Sequence, residues 1–89
     1  MDSSQNVTLI KFGAEWCGPC QAMKPDMEKV LSEVEGINYV DVNIDEDPDA
    51  AVQYKIRSIP ALILEKDGKV VRSLFGRVSA DRIREFLSE

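Results

Sequence analysis

Val7-Thr8-Leu9-Ile10-Lys11-Phe12 is a β-branched and apolar run broken by a single lysine, and it passes through Gly13-Ala14-Glu15 into Trp16-Cys17-Gly18-Pro19-Cys20. A run of that kind predicts a strand buried on both faces, as in a sheet covered by helices on either side. Gly13 ends it. Beyond Pro19 the period changes: Met23, Met27, Val30, Leu31 and Val34 recur at helical spacing, and Gly36 is a natural stop. The stretch therefore predicts a buried strand feeding directly into the longest helix of the chain, which Pro25 can bend. Both cysteines fall on the turn between them.

Outward from that join the signals stay regular. Ile37 to Ile44 (INYVDVNI) reads as a second strand, and Asp47-Pro48 supplies an N-cap followed by proline at the first helical position, for a short helix to about Tyr54. Ala61 to Glu65 and Lys69 to Phe75 are two more strands, and the Asp67-Gly68 pair between them is a strong signal for an antiparallel hairpin. Ser79 can cap a last helix that turns Ile83, Phe86 and Leu87 inward and Arg82, Arg84 and Glu85 to water. The order strand, helix, strand, helix, strand, strand, helix gives an α/β class. With a right-handed crossover between the first two strands, it predicts a four-stranded mixed sheet with helices on both faces.

At 89 residues, with 44% hydrophobic and 30% charged side chains, the chain is expected to form one domain over residues 1–89, with a single core. It holds no stretch approaching the roughly 18 consecutive apolar residues of a membrane span. The start MDSSQN has neither a basic nor an apolar leader region, so a cytoplasmic location and no membrane partner are expected. A net charge of −5, distributed in mixed-sign runs, argues against nucleic acid.

Two cysteines are too few for a disulfide framework, and their spacing points to chemistry or to metal. Zinc needs about four ligands, and the chain has no histidine and no third cysteine, so no metal and no other cofactor is expected. Two inert core thiols are the other reading the position must beat. Cys17 would sit at a helix N-terminus, where unpaired backbone N–H groups and the helix dipole favour a thiolate over a thiol. Cys20, one turn further in, lies on the same side, close enough for a disulfide and too deep to be attacked first. Gly18 lets a substrate backbone approach, and Pro19 holds the short turn rigid without losing a hydrogen bond.

Phe12-Gly13-Ala14-Glu15-Trp16-Cys17-Gly18-Pro19-Cys20 closely resembles the active-site stretch of the thioredoxin family. The resemblance continues through Asn43-Ile44-Asp45, Tyr54-Lys55-Ile56-Arg57-Ser58-Ile59-Pro60, Lys66-Asp67-Gly68 and Gly76. It covers nearly the whole chain from about Val7 but lacks the first strand and helix of ordinary members, as in a minimal thioredoxin-like fold. It implies a protein-disulfide reductase working by dithiol-disulfide exchange through Cys17 and Cys20. It also implies a cis Ile59–Pro60 peptide against the cysteines, and a substrate platform of Trp16, Gly18, Pro19, Ile59, Pro60 and Gly76, with Arg57 and Arg77 nearby. The implied partners are disulfide-containing protein substrates and a thioredoxin reductase as electron donor, acting on a monomer. A glutathione-dependent, glutaredoxin-like reductase and a redox-independent binding module on the same fold are the alternatives.

Three positions depart from the family pattern. Gly13 stands where a large aromatic is usual, Ala61 where threonine is often found, and Lys11 where the family usually has a buried aspartate. Asp41 in turn stands where the family often has a lysine, so the two charges look exchanged. On adjacent strands Lys11 and Asp41 could pair beneath the active site, because each is costly if buried alone. By resemblance Asp41 then inherits the proton-moving role toward the resolving cysteine, with Lys11 holding it ionised.

Overall fold

A computed structural model describes residues 6–89; Met1–Gln5, part of the start read as carrying no leader, lie outside the described residues. Four strands, β1 (Val7–Gly13), β2 (Ile37–Asn43), β3 (Ala61–Lys66) and β4 (Lys69–Phe75), form one sheet in the order β2-β1-β3-β4. β1 and β2 are parallel, while β1–β3 and β3–β4 are antiparallel. The expected mixed sheet is present, with β1 in its interior, which is why VTLIKF reads as almost continuously apolar.

Strand alternation sends the two sets of side chains to different layers. Leu9, Leu62 and Leu64 pack with Met23, Met27, Val30, Ile83 and Phe86 in the larger core, beneath helices α2 (Lys24–Leu31) and α4 (Ala80–Ser88). Ile10, Phe12, Ala61 and Ile63 form the opposite core with Ala50 and Tyr54, covered by α3 (Pro48–Gln53). Phe12 and Tyr54 rings stand 5.6 Å apart and tilted. Truncating one of these buried large side chains costs about 3–5 kcal/mol.

The predicted long helix is two. α1 (Gly18–Ala22) closes at Met23, whose N–H donates to the carbonyls of Pro19 and Cys20, and α2 begins at Lys24. Pro25 has no N–H for the carbonyl of Gln21 and its ring crowds that carbonyl, so the bend becomes a break. Met23 keeps right-handed dihedrals and Met27 N–H donates to its carbonyl, so the second helix continues from the first. The helix also ends earlier than Val34: the Ser32 hydroxyl donates to the Lys29 carbonyl and Glu33 N–H to that of Val30, tightening the last turn at Leu31. Gly36 then turns the chain at φ 78°.

The other signals act where they were read. Asp47 Oδ1 accepts from Ala50 N–H and Ser79 Oγ from Arg82 N–H, as N-caps do. Asp67 and Gly68 take φ 52° and 81°, the left-handed pair of a two-residue hairpin. α3 ends with Lys55 at φ 57°, Lys55 N–H donating to Val52 and Ile56 N–H to Ala51, a Schellman closure made without its usual glycine. Arg82 and Arg84, expected to face water, are half-buried and ion-paired, Arg84 bridging Asp81 and Glu33. No helix among the described residues is long and apolar enough to cross a membrane.

Candidate active site

The dithiol is built by the end of β1 and the first turn of α1. Cys17 is the N-cap of α1 and takes extended dihedrals, while Cys20 lies inside the helix, with the two Cα atoms 5.2 Å apart and the side chains joined as a disulfide. Cys20 N–H points at Cys17 Sγ, at 3.2 Å. A thiolate formed at Cys17 meets the same donor, which favours the charged form. Pro19 sits where a helix N–H would have no partner in any case. Cys17 keeps 6% exposure and Cys20 none.

The turn is braced from both ends. Cys17 N–H and the Gln21 side-chain amide both donate to the Ala14 carbonyl. Trp16 is 67% exposed, and its indole N–H donates to Asp45 Oδ2 at 2.7 Å, which holds the ring beside the cysteines instead of in the core. Neither Asp45 nor Gln21 was singled out by the sequence. The stretch Asn43-Ile44-Asp45 carried a signal, but a partner 29 residues away is visible only once β2 lies beside β1.

In front of the disulfide, Ile59 packs against Ala14, Cys17 and Cys20, the Ile59–Pro60 peptide is cis, and Pro60 is buried. Gly76 N–H donates to the Pro60 carbonyl and takes φ 92°, which brings the end of β4 to the same place. Gly18 and Pro19 are exposed, as are Arg57 and Arg77. Trp16 thus sits in the turn before α1, Gly18 and Pro19 in its first turn, and Ile59, Pro60 and Gly76 at the ends of β3 and β4.

Behind the disulfide the surroundings are charged. Gly13 leaves a pocket of about 230 Å³ beside Cys20, lined by Lys11, Lys24, Asp41, Glu15 and Gln21 among others. A Cβ on Gly13 would stand 3.3 Å from Cys20 Sγ and 3.9 Å from Lys11 Nζ. Lys11 is 2% exposed. Burial pushes its amine below the ordinary lysine range, with Asp41 opposing and Lys24 adding to the shift. Lys11 and Asp41 are register partners on β1 and β2, as adjacent strands require. The expected buried ion pair is not made: Asp41 is exposed, and among the described residues no carboxylate lies within 4.0 Å of the Lys11 ammonium. Asp41 instead stands exposed at the rim of the pocket that Lys11 and Gly13 line.

A sheet of this order, with a disulfide between the N-cap and the first turn of a helix, defines a thiol-disulfide oxidoreductase. The thioredoxin family model matches residues 1–89. The chain is 40% identical over 88 residues to thioredoxin 2 of Chlorobaculum tepidum, covering 98% of this chain and 81% of that one. It is also 40% identical over 86 residues to the thioredoxin of Chlamydia trachomatis, covering 97% of this chain and 84% of that one. The structure is similar to that of Fasciola hepatica thioredoxin, with a TM-score of 0.88 at 28% identity, across 98% of this chain and 83% of the other. The chain belongs to the thioredoxin family and acts on protein disulfides by dithiol-disulfide exchange.

Proposed function

We propose that Cys17 is the attacking cysteine and Cys20 the resolving one. The Cys17 thiolate attacks a substrate disulfide, forming a mixed disulfide and releasing one substrate sulfur as a thiolate. Cys20, as its thiolate, then attacks Cys17 Sγ; the mixed disulfide breaks, the second substrate sulfur leaves, and the Cys17–Cys20 disulfide remains. The substrate is reduced by two electrons and the protein oxidised by two. The order of exposure, 6% for Cys17 against none for Cys20, carries the assignment.

Trp16, Gly18, Pro19, Ile59, Pro60 and Gly76 form the platform on which the substrate chain lies, supported by their position around the reachable sulfur. Arg57 and Arg77, exposed on a chain of net charge −5, favour acidic partners there. Lys11 and Asp41 serve proton movement at the pocket behind Cys20. The electron donor is a thioredoxin reductase, the working form is a monomer of one domain over residues 1–89, and the setting is the cytoplasm, with neither nucleic acid nor membrane as partner.

Trapping tests the assignment. The Cys20→Ser protein, offered a protein disulfide, should accumulate a stable mixed disulfide on Cys17, and Cys17→Ser should accumulate none. A mixed disulfide that forms as readily on Cys20 in Cys17→Ser would overturn it.

A further inference from the structure

The pocket behind Cys20 is lined by a buried lysine whose amine has no carboxylate partner among the described residues. Lys11 Nζ and Cys20 Sγ both approach the point where a Gly13 side chain would begin, 3.9 Å and 3.3 Å from it, so they are no farther apart than the sum of those distances. One or two waters of the pocket can bridge a span of that size, and no side chain stands at Gly13 to separate the two groups. Lys11 is held there by packing. It lies in the interior strand between Asp41 on β2 and Leu62 on β3, and is almost wholly removed from solvent.

We propose that the Lys11 amine takes the proton of the Cys20 thiol as the mixed disulfide is resolved, and that the ammonium so formed steadies the Cys20 thiolate. This rests on Cys20 being the resolving cysteine. The proton passes from Cys20 Sγ to Lys11 Nζ. The thiolate attacks Cys17 Sγ, the bond from Cys17 to the substrate sulfur breaks, and that sulfur leaves with the electron pair and takes a proton from water. With the disulfide closed, the ammonium has lost its counter-charge and releases its proton through the pocket mouth, where Asp41 stands.

The groups around the amine fit this use. Burial and Lys24, which faces it from α2, disfavour the charged amine, while Asp41 on β2 favours it, and the balance lies below the ordinary lysine range. Glu15, Glu28 and Tyr39 line the same openings; Glu15 and Glu28 are exposed, and Tyr39 stays protonated because burial and Asp41 hold its phenol well above its ordinary value.

Reciprocity provides a test on the unaltered protein. If the two groups share a proton, Lys11 must hold its own to higher pH when Cys20 is a thiolate than when it is in a disulfide. Following the Lys11 side chain by NMR through a pH titration, the reduced protein should titrate about one pH unit above the oxidised protein. Coincident midpoints would overturn the proposal. A second test uses a symmetrical aromatic disulfide whose thiolate is coloured: the first equivalent released reports attack by Cys17 and the second reports resolution by Cys20. Lys11→Met should slow the second phase about tenfold near neutral pH and leave the first within about twofold, while the exposed Lys69→Met changes neither. A second phase in Lys11→Met with the wild-type pH profile would exclude Lys11 as the acceptor. A second phase that survives in Cys20→Ser would instead refute Cys20 as resolver, so the two failures are distinct.

Discussion

The two sides of the Cys17–Cys20 disulfide differ in almost every physical respect. The front has Ile59 packed against the cysteines, with Pro60 and Gly76 bonded to each other beside it, Trp16 pinned by Asp45, and a cysteine that keeps some exposure. The back is a small charged pocket around a sulfur that keeps none, with a buried lysine instead of a packed core. The contrast separates two demands on one reaction. Substrate recognition needs a surface that an extended chain can cover with little desolvation cost, whereas the resolving step needs a place for a proton where substrate does not reach. Gly13 is what keeps the second region open.

Removing the front sulfur should be the largest effect. Cys17→Ser should reduce protein-disulfide turnover by about a thousandfold or more, because the nucleophile is lost and every later step with it. A turnover assay with a dithiol as final reductant measures this.

Filling the back should come next. A Cβ at Gly13 would lie 3.3 Å from both Cys20 Cβ and Sγ, tighter than an ordinary contact, and Lys11 Nζ stands just beyond. Gly13→Ala should destabilise the fold by about 1–3 kcal/mol in denaturant unfolding. An unchanged midpoint would mean that the helix can move away from the sheet at no cost.

Lys11 gives a smaller effect of opposite sign, with a defined pH dependence. Its folded-state amine titrates below the unfolded value of 10.5, so between those two values the unfolded chain binds more protons and stability rises with pH. Lys11→Met removes that cost and should be more stable than the natural protein by about 1 kcal/mol at neutral pH. The advantage should shrink as pH rises toward 10.5. Denaturant unfolding at a series of pH values checks both the sign and the trend.

The smallest effect lies away from the comparison and serves as its control. Lys55 holds a left-handed conformation at the end of α3 that glycine adopts freely, so Lys55→Gly should stabilise by about 0.5–1 kcal/mol and leave disulfide exchange unaltered.

Local signals were legible and long-range ones were not, and the two sides of the site divide along the same line. Asp67-Gly68, Asp47-Pro48 and Ser79 each act within a few residues of themselves, and the hairpin and caps stand where their chemistry puts them. The cysteine turn is local in the same sense, so Cys17 and Cys20 could be placed at the helix start from the change of period that follows VTLIKF. The division of the long helix was only half visible: Pro25 marked a bend, but whether the helix absorbs it depends on how the chain packs around the Gln21 carbonyl that loses its donor. The exchange of charge between Lys11 and Asp41 could be read from the sequence, and their register follows from strand adjacency. What could not be read is that Gly13 leaves Lys11 and Cys20 facing one pocket, since that depends on where Cys20 packs against the sheet.

The most direct test of this front-and-back division is to label the reduced protein with iodoacetamide near neutral pH and map the adduct by mass spectrometry. Cys17, the reachable sulfur at the helix start, should be alkylated first, with Cys20 modified only slowly or on unfolding. Preferential labelling of Cys20 would contradict the account, because the sulfur placed at the back would then be the one that meets the solvent.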